Sequence, residues 1–106
     1  MDPKRWRLDG QLALVTGGSA GIGRAIAREL LGFGADVLLA ARDAAALESA
    51  RAELSEDFPE RDVQVFVADV AEDDQRRELL DWVEDFGEGL HILVNNAGGN
   101  LTRAAV

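Results

Sequence analysis

The residues best placed to do chemistry are Thr16-Gly17-Gly18-Ser19-Ala20-Gly21-Ile22-Gly23. They form a glycine-rich stretch between the apolar run Leu12-Ala13-Leu14-Val15 and an amphipathic run over residues 22–33. A strand that feeds such a turn and then a helix suits a nucleotide pyrophosphate. Gly17 makes a tight turn without a Cβ penalty. Gly21 lets the backbone approach the phosphates, and Gly23 lets the helix pack close to the strand. The helix N-terminus then offers free N–H groups and the positive end of its dipole to the anion. Three later groups each follow an apolar run: Arg42, Asp69-Val70 and Asn95-Asn96-Ala97-Gly98. Arg42 is a candidate partner for an anion, and Asp69 is a hydrogen-bond acceptor or a helix cap.

Bringing these groups together requires a scaffold that gathers the ends of several strands. The sequence alternates short apolar runs with helical stripes. Residues 12–16 form the first predicted strand. Ile22, Ile26, Leu30 and Phe33 share one face of the first helix, which Gly32 and Gly34 end. Val37-Leu38-Leu39-Ala40 is the second strand. Asp43 is the expected N-cap of a second helix with the stripe Leu47, Ala50, Leu54 and Phe58, and Pro59 stops it. Val63-Gln64-Val65-Phe66-Val67 makes the third strand. Glu72, Asp73 and Asp74 favour the start of a third helix carrying Leu79, Leu80, Val83 and Phe86, broken by Gly87 and Gly89. His91-Ile92-Leu93-Val94 is the fourth strand. Strands one and four read as buried on both faces, and such strands alternating with helices indicate a parallel sheet of right-handed crossovers. The expected fold is an open, doubly wound α/β sheet.

Composition narrows the partners. A chain of 106 residues with 47% hydrophobic residues holds one domain at most. It has no cysteine, which excludes disulfides and thiolate metal sites and suits a reducing, cytoplasmic compartment. Its apolar runs fall short of the roughly 20 residues of a membrane helix. The basic start is not followed by an apolar stretch of signal-peptide length. A net charge of −9 argues against nucleic acid, whose binding needs a basic patch. The acid is concentrated between Asp43 and Glu88, on segments that read as solvated helix faces rather than a metal site. An anionic ligand must therefore be held locally, by N–H groups and one or two arginines.

With these residues in place, the chain resembles the N-terminal half of a short-chain dehydrogenase/reductase. The glycine turn has that family's Thr-Gly-x-x-x-Gly-x-Gly spacing, Asp69-Val70 follows the third strand, and Asn95-Asn96-Ala97-Gly98 follows the fourth. The lead-in Trp6-x-Leu8-x-Gly10 is similar to the tropinone-reductase-like branch. The resemblance implies an incomplete Rossmann-type sheet of about four strands in the order 3-2-1-4, with three helices. Residues 1–106 would then be the dinucleotide-binding half of a single domain, with the ligand crevice where the strand order reverses. It further implies cofactor contacts from Gly17, Ser19, Ala20, Gly21, Ile22 and Gly23. Asp69 would meet the adenine amino group, Val70 would add a backbone contact, and Ala97 and Gly98 would admit the ribose. Asn96 reads as a tie between neighbouring strands.

Cofactor choice rests on the end of the second strand, where an acid pairs with the ribose of NAD and an arginine suits the 2′-phosphate of NADP. The family's NAD-selecting acid would fall at Ala41, and Arg42 follows it, so NADP(H) is expected over NAD(H). Ala20 stands where many NADP-dependent relatives carry a second basic residue. Asp36 lies at the wrong end of its strand to serve the ribose.

The family chemistry is hydride transfer to or from a carbonyl carbon, using a Tyr-x-x-x-Lys pair, a serine and a helix-borne asparagine. This sequence has no tyrosine, its one lysine is Lys4, and its asparagines 95, 96 and 100 lie too early. No catalytic residue is assigned. His91 reads as inert, and Trp6 and Trp82 as packing. Three readings stay open: the cofactor-binding half of a reductase acting on a small carbonyl substrate, a binding module without catalysis, and a fragment that self-associates or pairs with a C-terminal half.

Overall fold

The computed structural model describes residues 7–86 and 89–96. In chain order these form β1 (Leu12–Thr16), α1 (Gly21–Gly32), β2 (Asp36–Ala41), α2 (Ala44–Asp57), β3 (Val63–Val67), α3 (Asp73–Glu84) and β4 (Ile92–Asn95). The sheet is wholly parallel, in the order β3-β2-β1-β4. Strand order, strand count and helix count match the expectation. β2 starts one residue earlier and ends one later than its apolar run, and β4 is shifted to begin after His91.

Each sheet face has its own core. Ala13 and Val15 of β1, Val37 and Leu39 of β2 and Val63 of β3 pack against Ala27 and Leu31 of α1 and Leu47, Ala50 and Leu54 of α2. On the other face, Leu12, Leu14, Leu38 and Ala40 meet Leu79 and Val83 of α3. Residues alternate between the faces along each strand, which is why residues 12–15 of β1 and 37–40 of β2 have to be apolar. Trp82 lies between Phe66 and Phe86, with ring centroids 5.1 Å from each, and is a packing residue as expected. Trp6 lies outside the described residues.

One helical stripe differs from its predicted phase, and another loses a single member. α1 buries Gly23, Ala27 and Leu31, whereas Ile22 is 68% exposed and Phe33 is also exposed. The helix sits so close to the sheet that only small side chains fit beneath its first turns. α3 buries Leu79 and Val83 and leaves Leu80 exposed. α2 follows its predicted stripe, and the Asp43 carboxylate caps it by accepting from the Ala46 N–H at 3.1 Å.

β4 differs from β1 in burial. β1 is buried along its whole length, but Leu93 on β4 is 54% exposed. The second face of this edge strand is open among the described residues, contrary to its reading as buried on both sides.

Candidate functional site

The C-terminal ends of β1, β2 and β4 converge on the glycine turn. Gly17 has a φ of 69°, and its N–H donates to the Ala40 carbonyl at 2.7 Å, so the turn is tied to the end of β2. Gly21 opens α1 with a φ of 58°. Gly23 is the contact point of helix and strand. A Cβ there would lie 2.2 Å from the Gly17 carbonyl oxygen and 2.8 Å from Asn96 Nδ2. Glycine at this position thus lets the β1 turn, the first turn of α1 and the residue after β4 meet.

Thr16 holds the β4 side of this junction. It is the last residue of β1 and is buried. Its Oγ1 accepts from the Asn96 N–H at 3.0 Å and lies 3.0 Å from Asn95 Oδ1 and 3.4 Å from the Val94 carbonyl oxygen. The sequence reading used Thr16 only for motif spacing. Its signal is that it is the single polar residue of an otherwise apolar, buried strand. Asn96 does lie between elements as expected, through its backbone N–H and its amide against Gly23. Ala97 and Gly98 lie outside the described residues.

The start of α1 is electrically distinctive. α2 has the Asp43 cap, and α3 has Asp73 and Asp74 in its first turn. α1 begins after Ala20 with no side-chain cap and no acid in its first turn. In a chain with 20 acidic residues, this helix start alone of the three keeps carboxylates away from its N–H groups. Ser19 lies in the turn itself, and Ile22 projects outward on the first turn.

Arg42 follows β2 and is exposed. Arg7, Arg24, Arg28, Arg51 and Arg76 all pair with carboxylates, and Arg61 donates to the Gly34 carbonyl. Among the described residues, the Arg42 side chain makes no ion pair or hydrogen bond, a property it shares with the side chain of Arg77 alone of the described arginines. Asp36, at the opposite end of β2, accepts from the Asp62 N–H at 2.8 Å, which confirms its distance from this crevice.

Asp69 does not cap α3. Glu72 occupies the N-cap position, and Asp69 Oδ1 instead accepts from the Ala71 N–H at 3.0 Å in the turn before the helix. Asp69 Oδ2 and the Val70 N–H make no hydrogen bond with any described residue. His91 is not inert: its Nδ1 accepts from the Leu12 N–H at 3.0 Å, and its own N–H donates to the Leu12 carbonyl at 3.0 Å. This joins β1 and β4 at the end remote from the glycine turn.

Comparison with known proteins agrees with this geometry. Residues 11–105 match the family model for short chain dehydrogenase. A chloroplastic tropinone reductase homolog of Arabidopsis thaliana is 44% identical over 104 residues, covering 97% of this chain and 32% of the relative. Pseudomonas aeruginosa RhlG in its NADP active-site complex superposes with a TM-score of 0.83 at 41% identity, covering 96% of this chain and 40% of that one. L-Sorbose reductase from Gluconobacter frateurii, complexed with NADPH and L-sorbose, gives a TM-score of 0.83 at 35% identity, over 94% of this chain and 39% of that one. The chain spans about a third of the length of the curated relatives it matches.

Proposed function

The chain belongs to the short chain dehydrogenase family, and on that premise we propose that it is the NADP(H)-binding half of an oxidoreductase that reduces a small carbonyl substrate. One observation carries the cofactor reading. A helix start free of carboxylates and an arginine without a carboxylate partner stand at the ends of adjacent strands, in a chain of net charge −9.

The residues suit such a cofactor. The N–H groups of Gly21, Ile22 and Gly23, with the turn of Gly17, Ser19 and Ala20, form an anion cradle at the positive end of the α1 dipole. The planar fork of Arg42 matches a 2′-phosphate. Ala41 has no carboxylate for a ribose 2′-hydroxyl, which favours NADP(H) over NAD(H). Asp69 Oδ2 is an acceptor and the Val70 N–H is a donor. Such a pair on consecutive residues matches the amino group and ring nitrogen along one edge of adenine. Asn96, Ala97 and Gly98 complete the ribose side. When bound, the nicotinamide supplies the hydride. The residues of this chain bind and orient it, and the proton donor comes from another segment, since the sequence has no tyrosine. The open face and edge of β4 are where a C-terminal half, or a second copy, would complete the sheet. A cytoplasmic enzyme without nucleic-acid or membrane partners fits this picture.

Titration with NADPH and NADH tests the proposal. NADPH is expected to bind more tightly. Arg42→Ala should weaken NADPH selectively, by about 1.5–3 kcal/mol for one charge-assisted contact. Equal dissociation constants for the two cofactors would overturn the preference.

A further inference from the structure

Resting on the adenine reading above, we infer that Gln75 is a positioning residue for the adenine end of the cofactor. Its side-chain amide sets the loop that presents Asp69 and Val70. β3 keeps its sheet contact one residue past its end, where the Ala68 N–H donates to the Ala41 carbonyl at 2.9 Å. From Asp69 onward the backbone has no strand neighbour, and its polar groups need other partners.

The first turn of α3 provides them. The Asp69 N–H donates to Gln75 Oε1 at 2.7 Å. The Asp69 carbonyl accepts from the Glu72 N–H at 3.0 Å, and Arg76 Nη1 donates to the Val70 carbonyl at 2.6 Å. Arg76 is itself held by Asp73. In an ordinary capping box, the residue three places into the helix reaches back to the N–H of the N-cap residue. Here that donor, on Glu72, is already taken by Asp69, so Gln75 reaches three residues further back. The loop is thus fastened at Asp69 N–H and Val70 C=O. The groups left over are Asp69 Oδ2 and the Val70 N–H, the pair assigned to adenine. A neutral amide provides the acceptor without placing a second negative charge beside the Asp69 carboxylate.

The probes are 5′-AMP, which carries adenine, and nicotinamide mononucleotide, which does not, titrated against the 106-residue chain. Gln75→Leu removes the acceptor at nearly constant volume and strands the Asp69 N–H. It is expected to weaken 5′-AMP by about tenfold, the effect of one lost hydrogen bond, and to leave nicotinamide mononucleotide unchanged. Gln75→Glu keeps an oxygen at the same reach but adds the second negative charge, and should restore only part of the 5′-AMP affinity. A purely structural role would weaken both probes alike, and that result, or unchanged 5′-AMP binding, would overturn the inference. Amide exchange on the unsubstituted chain gives a second readout if a variant fails to fold. The Asp69 N–H should be protected without ligand, whereas the Val70 N–H should gain protection only with 5′-AMP. Protection of Val70 without ligand, or exposure of Asp69, would refute the role of Gln75 while leaving the cofactor reading intact. An unsubstituted chain that binds no adenine nucleotide would overturn both.

Discussion

Replacing Gly23 with alanine tests the geometry on which the whole crevice depends. The added Cβ would stand 2.2 Å from the Gly17 carbonyl oxygen, whereas real Cβ atoms essentially never come within 3.0 Å. The Asn96 amide at 2.8 Å is the end of a side chain and can move, but the Gly17 oxygen is backbone and is fixed by the tie of Gly17 to Ala40. The first turn of α1 therefore has to lift from β1, loosening the contacts of Ala27 and Leu31 with the sheet. Overpacking of this kind costs about 2–3 kcal/mol, and the better helix propensity of alanine returns about 1 kcal/mol. The expected net loss is about 1–2 kcal/mol, or roughly 5–15 °C in Tm for a domain of this size. NADPH affinity should fall as well, because the same displacement moves the α1 N–H groups away from the Gly17 turn. Gly32→Ala, at the other end of the helix, is the control. Its Cβ would lie 4.0 Å from Phe58 Cε1, an ordinary contact. That variant should gain about 0.5–1 kcal/mol through a less flexible unfolded chain. Urea unfolding and NADPH titration of both variants decide the matter. A Gly23→Ala chain as stable and as tight-binding as the parent would refute the reasoning.

Other outcomes follow from the strand junctions and the surface. Thr16→Val should cost about 1–3 kcal/mol in urea unfolding by leaving the Asn96 N–H without its acceptor, and Thr16→Ser should recover most of this. Faster amide exchange at Asn96 in the valine variant checks the cause. His91→Leu should cost about 1–3 kcal/mol, because the Leu12 N–H loses the imidazole nitrogen it donates to. Unfolding curves unchanged from the parent would show that another group takes over. The Asp9 carboxyl is held below the ordinary carboxylate range chiefly by the hydrogen bond from Arg7, with desolvation opposing and the charges of Arg7 and Arg61 assisting. A lowered folded value means the pair contributes above the unfolded pKa of aspartate and is lost as pH falls through the folded one. Arg7→Ala should therefore move the Asp9 midpoint upward in an NMR titration, with little change in stability because both groups are exposed.

The sequence was sufficient wherever local chemistry and period agree. β1 and β3 were legible to the residue, since apolar runs of strand length bounded by turn formers leave few alternatives. Asp43 was legible as a cap because it directly precedes the stripe Leu47, Ala50 and Leu54. The parallel order followed from the alternation of strands and helices together with the family motifs. The crevice was legible through the glycine spacing and through residues standing just past strand ends.

Tertiary structure decided the rest. Hydrophobicity gave α1 its period but not its phase. Ile22 and Phe33 are exposed, and Gly23, Ala27 and Leu31 are buried, because the first turn of the helix approaches the sheet too closely for a side chain at Gly23 and this fixes which face points inward. Asp69 was open as a helix cap, and only the position of Glu72 as N-cap and the bond from the Ala71 N–H showed that it closes the turn before the helix instead. His91 had no acid nearby in sequence, yet its partner is a backbone N–H brought to it by strand pairing across the chain. Periodicity, glycine spacing and charge are local properties, and they sufficed to indicate the fold and the family. Helix phase, the hydrogen bonds of Thr16 and His91, and the isolation of the Arg42 side chain depend on groups distant in sequence, so only the packed sheet determines them.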